Sequence, residues 1–156
     1  MKFFAHAVFA VTALGVADWS AEAQDVSRAP RYGDVSLSAG FTPDPYRVQV
    51  ESGGPINAAE HLGGNCPGFI ADAPDFDLYY NAGSLPLILS VHAEADTTLV
   101  VNAPDGQWYC DDDSGSGTDP KIRFGAPMSG LYDIWVGSYD PDTVAPATLK
   151  ISELDR

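Results

Sequence analysis

The side chains best able to do chemistry are concentrated in residues 109–119, which read Tyr-Cys-Asp-Asp-Asp-Ser-Gly-Ser-Gly-Thr-Asp. Carboxylates this close repel one another unless water, a cation or hydrogen-bond donors lie among them. Calcium takes about six to eight oxygens from carboxylates, carbonyls and water. Asp111, Asp112, Asp113 and Asp119, with Ser114 and the flexible Gly115-Ser-Gly backbone, are therefore read as a calcium site acting as a structural clamp. Asp140 and Asp142, or Asp75 and Asp77, are candidates to complete the shell. The loop is not an EF-hand, because glycine and glutamate do not fall at the sixth and twelfth positions. The competing reading is a solvated acidic turn whose aspartates cap backbone amides.

Other chemistries find less support. Asp113-Ser114-Gly115 superficially matches the surroundings of a trypsin-like nucleophile, but acyl transfer needs a histidine base oriented by a carboxylate. Beyond the first residues only His61 and His92 are present, and neither sits in a suitable context. Glycoside hydrolysis needs two carboxylates at a defined separation, which spacing along the chain does not supply. Exposed aromatics can stack on sugars or anchor a protein partner. Trp108, flanking the acidic loop, and Tyr139 are the candidate ligand contacts, whereas Trp135 is assigned to the core. No catalytic constellation is visible, and the expectation is a protein that is not an enzyme.

The chain must be delivered somewhere that suits these residues. Lys2, an apolar run over residues 3–16 and Ala21-Glu22-Ala23 form the pattern of a secretory signal peptide over residues 1–23. The apolar run is shorter than the roughly 20 residues that span a bilayer. Residues 24–156 then form one domain, secreted or periplasmic. They carry 7 basic and 20 acidic side chains, a net charge of −13. Such a surface repels nucleic acid and anionic membranes. Cys66 and Cys110 are the only cysteines, and an oxidising compartment favours a disulfide between them. Free thiols or a metal pair are the alternatives.

The elements that position these residues read as β-strands. Val35, Leu37 and Ala39 alternate with serines; Tyr46, Val48 and Val50 alternate with Arg47, Gln49 and Glu51. Residues 56–61 hold the one short helix, with Asn57 as its cap. Phe76, Leu78 and Tyr80 alternate with Asp77 and Tyr79. Residues 85–92 form a more continuous apolar run, read as a central strand buried on both faces. Residues 97–102 follow, and Pro104-Asp105-Gly106 turns the chain back. Further strands fall at 121–125, 131–138 and 147–154. About eight or nine strands, 15 glycines and 12 prolines predict an all-β, antiparallel sandwich.

Residues 75–139 resemble the bacterial pre-peptidase C-terminal (PPC) domain family. The resemblance rests on Asp75-Phe-Asp-Leu-Tyr-Tyr, Ala95-Asp-Thr-Thr-Leu-Val-Val, the Pro-Asp-Gly hairpin and Ser129-Gly-Leu-Tyr-Asp-Ile-Trp-Val. The chain is also similar to small exported proteobacterial proteins with Leu-Gly-Gly-x-Cys and Cys-Asp-Asp-Asp-Ser motifs, some of which carry a trypsin-like peptidase label. The resemblance implies a jelly-roll-like, non-catalytic β-sandwich associated with calcium and with protein or polysaccharide surfaces. No peptidase is attached here, a departure from the family's usual arrangement. The expectation is therefore an exported binding or structural domain, with a protein or polysaccharide surface as partner. The alternatives are a hydrolase-related protein, as peptidase accessory or degenerate peptidase, or a periplasmic enzyme inhibitor.

Overall fold

Alternation of apolar and polar residues builds two sheets in the computed structural model, which describes residues 24–155; the leader expected over residues 1–23 lies outside them. In chain order the elements are β1 (Asp34–Ser38), β2 (Tyr46–Glu51), β3 (Ile56–Asn57), α1 (Ala58–Leu62) and β4 (Phe69–Ile70). They continue with β5 (Phe76–Asn81), β6 (Leu87–Ala93), β7 (Thr97–Asn102), β8 (Trp108–Asp111), β9 (Lys121–Phe124), β10 (Gly130–Ser138) and β11 (Pro146–Ser152). The fold is all-β, and the eleven strands among the described residues exceed the eight or nine expected. The two-residue strands β3 and β4 account for the excess, being too short to show a period.

One sheet runs β1-β5-β10-β7-β8, with β4 and β3 continuing from the end of β10 through the pair Ser138 and Phe69. The other runs β2-β11-β6-β9. All pairs are antiparallel except β1 with β5, which is parallel and departs from the antiparallel expectation. Between the sheets, Phe76, Leu78, Tyr80, Leu99, Ile134 and Val136 pack against Leu87, Leu89, Val91, Leu149 and Ile151, all nearly inaccessible. Tyr109, Phe124 and Tyr132 close one end through edge-to-face contacts at centroid distances of 4.9 and 5.3 Å. The Pro104-Asp105-Gly106 turn joins β7 to β8 as read from the sequence, with Gly106 N–H donating to Ala103 O at 2.8 Å.

A second, smaller core lies on the outer face of the seven-stranded sheet. The segment carrying β3, α1 and β4 folds over that face, and Ile70, Ala58 and Cys66 pack there against Val100 and Trp135. The Cys66–Cys110 disulfide, with Cα atoms 5.0 Å apart, fastens this flap to β8. Asn57 caps α1 by accepting from Ala59 N–H at 3.1 Å. Gly68, at φ +97°, adopts a left-handed conformation where the flap meets the Thr98 side chain, leaving no room for a Cβ.

The flap reverses one expectation about burial. β7, not β6, is buried on both faces, because the flap covers the sheet to which β7 belongs. On the outer face of the four-stranded sheet Ile88 and its neighbour Ser152 are buried at one end, whereas Ser90 and His92 of β6 reach solvent further along.

Candidate functional site

The acidic loop connects β8 in one sheet to β9 in the other, and hydrogen bonds fix its shape. Asp111, the last residue of β8, accepts from Ser114 N–H at 3.0 Å, Ser114 Oγ at 2.5 Å and Lys121 N–H at 2.8 Å. Its carboxylate thus closes the turn and clamps the first residue of β9. Asp119 accepts from Ala93 N–H at 3.2 Å and meets His92 Nδ1 at 2.8 Å, tying the loop to the end of β6. Gly115 N–H donates to Asp119 O at 2.8 Å, and a Cβ at Gly115 would overlap that carbonyl. Ser114 gives its hydroxyl proton to Asp111 rather than to a histidine, an arrangement unlike that of an activated nucleophile.

These bonds divide the carboxylates expected to share one calcium ion. Asp111 and Asp119 face donors of the protein. Asp112 and Asp113 instead join Asp140 around Asp96, whose carboxyl is raised first by burial and then by these three neighbours. Asp142 lies in the following turn at φ +59°. Asp77 lies in β5 of the seven-stranded sheet, and Asp75 immediately precedes that strand. Among the described residues no three acidic, histidine or cysteine side chains are grouped as a metal site. Trp108 is half-buried and packs on Trp135 at 5.4 Å, so its ring belongs to the core beneath the flap. Tyr139 is 49% exposed, beside Asp96.

A different surface gathers cations. Strand register places Arg47 beside Lys150, Lys150 beside Ser90, and Ser90 beside Lys121, in one row across the open outer face of the four-stranded sheet. With strands about 4.8 Å apart, the row spans roughly 14 Å. Of the six arginines and lysines in the described residues, four (Arg47, Lys121, Arg123 and Lys150) lie on this face. Arg28 and Arg31 lie elsewhere and pair with Asp72 and Asp75. On the open face Arg123 pairs with Asp155 at 3.2 Å, whereas Arg47, Lys121 and Lys150 form no ion pair among the described residues.

The row borders a groove of about 440 Å³, floored by Ile88 and Ser90 and bounded by Arg47, Lys121, Lys150, Leu154 and Asp155, the carboxylate that pairs with Arg123. That volume is in the range of ligand-binding clefts. A smaller hollow of about 220 Å³ continues it, where Gly115, Ser116 and Asp119 face Ser90, Lys121 and Lys150. The acidic loop thus forms one end wall of a cationic groove.

No family model and no curated protein matches this chain. Among solved structures it is similar to the Aeromonas hydrophila PliG, a periplasmic lysozyme inhibitor of g-type lysozyme. The two are 14% identical with a TM-score of 0.40, over 77% of this chain and 96% of that one. So slight a likeness carries no argument about function.

Sequence reasoning missed one polar feature. Asp34, Asp77 and Asp133 stand side by side on β1, β5 and β10, in register with Asn102 and Trp108. Burial pushes the Asp77 carboxyl up to about 7, with Asp133 and then Asp34 adding repulsion. Asp133 is raised by burial as well, an effect its neighbour Asp77 partly offsets. Beside them, burial raises Asp75 to about 7 although it accepts from Val136 N–H at 2.7 Å and pairs with Arg31 at 2.9 Å. The signal available in the sequence was an aspartate at alternate positions within two strongly apolar strands.

Proposed function

We propose that this protein is an exported, non-catalytic binding domain that recognises a protein or polysaccharide surface through the outer face of its four-stranded sheet. The observation that carries the reading is the open groove bordered by Arg47, Lys121 and Lys150, in a molecule whose other sheet is covered by a stapled flap. Export rests on the leader read in the sequence, and the resemblance to the pre-peptidase C-terminal family points to the same class of molecule. The groove is concave and of ligand size, and strands rather than mobile loops support its lining residues. His92 and Asp119 beside it form a hydrogen-bonded pair, but Ser114 is engaged with Asp111, which favours binding over acyl transfer.

The test compares the purified protein with Ser90→Trp, which fills the floor of the groove, against a panel of isolated envelope polysaccharides and envelope proteins. Selective binding to one panel member is expected, with Ser90→Trp weakening it at least about tenfold while leaving the melting temperature nearly unchanged. Binding that is indifferent to Ser90→Trp, or turnover of a panel member that His92→Ala removes, would overturn the reading.

A further inference from the structure

From the row of cations across the open sheet we infer that the groove takes a linear polysaccharide bearing carboxylates, laid across the strands along Arg47, Lys150, Ser90 and Lys121. This inference rests on the binding-domain reading and specifies its ligand.

The first argument is charge placement. A chain with 20 acidic and 7 basic side chains beyond residue 23 would be expected to scatter its few cations among its carboxylates. Instead Arg47, Lys121 and Lys150 are collected on one face without carboxylate partners among the described residues. Like charges brought together cost free energy unless an anion offsets them, and the groove between them is where such an anion would sit. Arg47 offers a planar fork suited to a carboxylate, while the lysines act as point charges.

The second argument is the form of the ligand. The cations stand on three strands in one transverse row rather than around a single point, which matches anionic groups repeated along a polymer. Their acidic surroundings repel nucleic acid and anionic bilayers, whose charge density is greater and extends over a wider area.

The third argument distinguishes a polysaccharide from an acidic protein. Protein interfaces are anchored by tryptophan, tyrosine or large aliphatic side chains seated in apolar pockets. Around this groove the one strongly exposed large apolar residue is Leu154, while Tyr79, Tyr139, Met128 and Val144 lie outside its lining. Arg47, Lys150 and Lys121 beside Ser90 instead give a wet, polar surface suited to hydroxyls and carboxylates.

The experiment measures binding of the purified protein to short galacturonate oligomers, to neutral galactose oligomers of the same length and to poly-L-glutamate. Wild type is expected to prefer galacturonate over both, with an affinity that falls as salt is raised. Lys121→Gln with Lys150→Gln should weaken it about tenfold or more, and Lys121→Arg with Lys150→Arg should restore most of it. Equal binding of the neutral oligomer, or no effect of the glutamine pair in a protein that still melts normally, would overturn the inference. Equal binding of poly-L-glutamate would overturn the choice of polysaccharide in favour of an acidic protein. Should galacturonate fail while Ser90→Trp still abolishes capture of another panel member, this inference falls and the binding-domain reading stands.

Discussion

Asp77 and Asp133 are directly paired across β5 and β10, 7% and 5% exposed, and Oδ1 of each has no hydrogen-bond partner. Two carboxylates this close in a covered site cannot both be charged without a large penalty, so the pair retains a proton near neutrality. The unfolded chain releases that proton near the ordinary value of 3.8, whereas the folded Asp77 holds it to about 7. Between those values the folded state binds more protons, so stability falls as pH rises, then levels above about 7. Each such proton contributes up to about 1.4 kcal/mol per pH unit within the window. Asp75 adds to the same trend. Melting temperature is therefore expected to drop from pH 4.5 to 7.5, and Asp77→Asn should flatten the curve. An identical slope in Asp77→Asn would refute the shared proton.

Reduction of the disulfide tests the flap. Cys66 and Cys110 are 44 positions apart, and closing such a loop is worth about 3–5 kcal/mol on the chain-entropy account. A loss of that size lowers the melting temperature by roughly ten degrees or more. Because Trp108 and Trp135 are packed beneath the flap, their fluorescence should shift to the red at temperatures where the β-sheet circular dichroism is still intact. Simultaneous loss of both signals would mean that the flap and the sandwich unfold as one unit.

Within the acidic loop the four aspartates should behave very differently. Asp111→Ala removes the acceptor of three hydrogen bonds and is expected to cost about 1–3 kcal/mol in denaturant unfolding. Asp112→Ala, which relieves repulsion on Asp96, should fall within about 0.5 kcal/mol of wild type or stabilise slightly. Equal costs at the two positions would contradict the geometry of the turn.

The same geometry bears on calcium. With Asp111 and Asp119 facing protein donors, millimolar calcium is expected to raise the melting temperature no more than magnesium does, through general screening of the corner formed by Asp96, Asp112, Asp113 and Asp140. A calcium-specific rise of several degrees, removed by Asp112→Asn with Asp113→Asn, would establish a bound ion in that corner.

Strand identity was legible because Val48, Leu78, Leu99 and Ile134 repeat at every second position and prolines and glycines punctuate the turns. The flap was not, since Ile56-Asn57 and Phe69-Ile70 are too short to show a period and their burial depends on the covalent link to β8. For the same reason β6 reads as a doubly buried strand although Ser90 and His92 reach solvent: local apolarity does not reveal which sheet a remote segment covers. The acidic loop stood out by composition, yet composition could not say where its carboxylates point. Asp111 is fixed by Lys121 N–H, ten residues on, and Asp119 by His92, 27 residues back. The cationic row was invisible because Arg47, Lys121 and Lys150 become neighbours only through the pairing of β2, β11, β6 and β9.

The positions of β10 and β11 also govern when the molecule can fold. β10 lies between β5 and β7, and β11 lies between β2 and β6. The middle of each sheet is thus supplied by a strand that follows all of its pairing partners in the chain, and the earlier strands wait with unpaired edges until it arrives. High separation between paired strands slows folding and exposes edges that other chains can join. A chain shortened before β11 would leave β2 and β6 with no strand between them, so the four-stranded sheet and its groove come into existence only once β11 has been made.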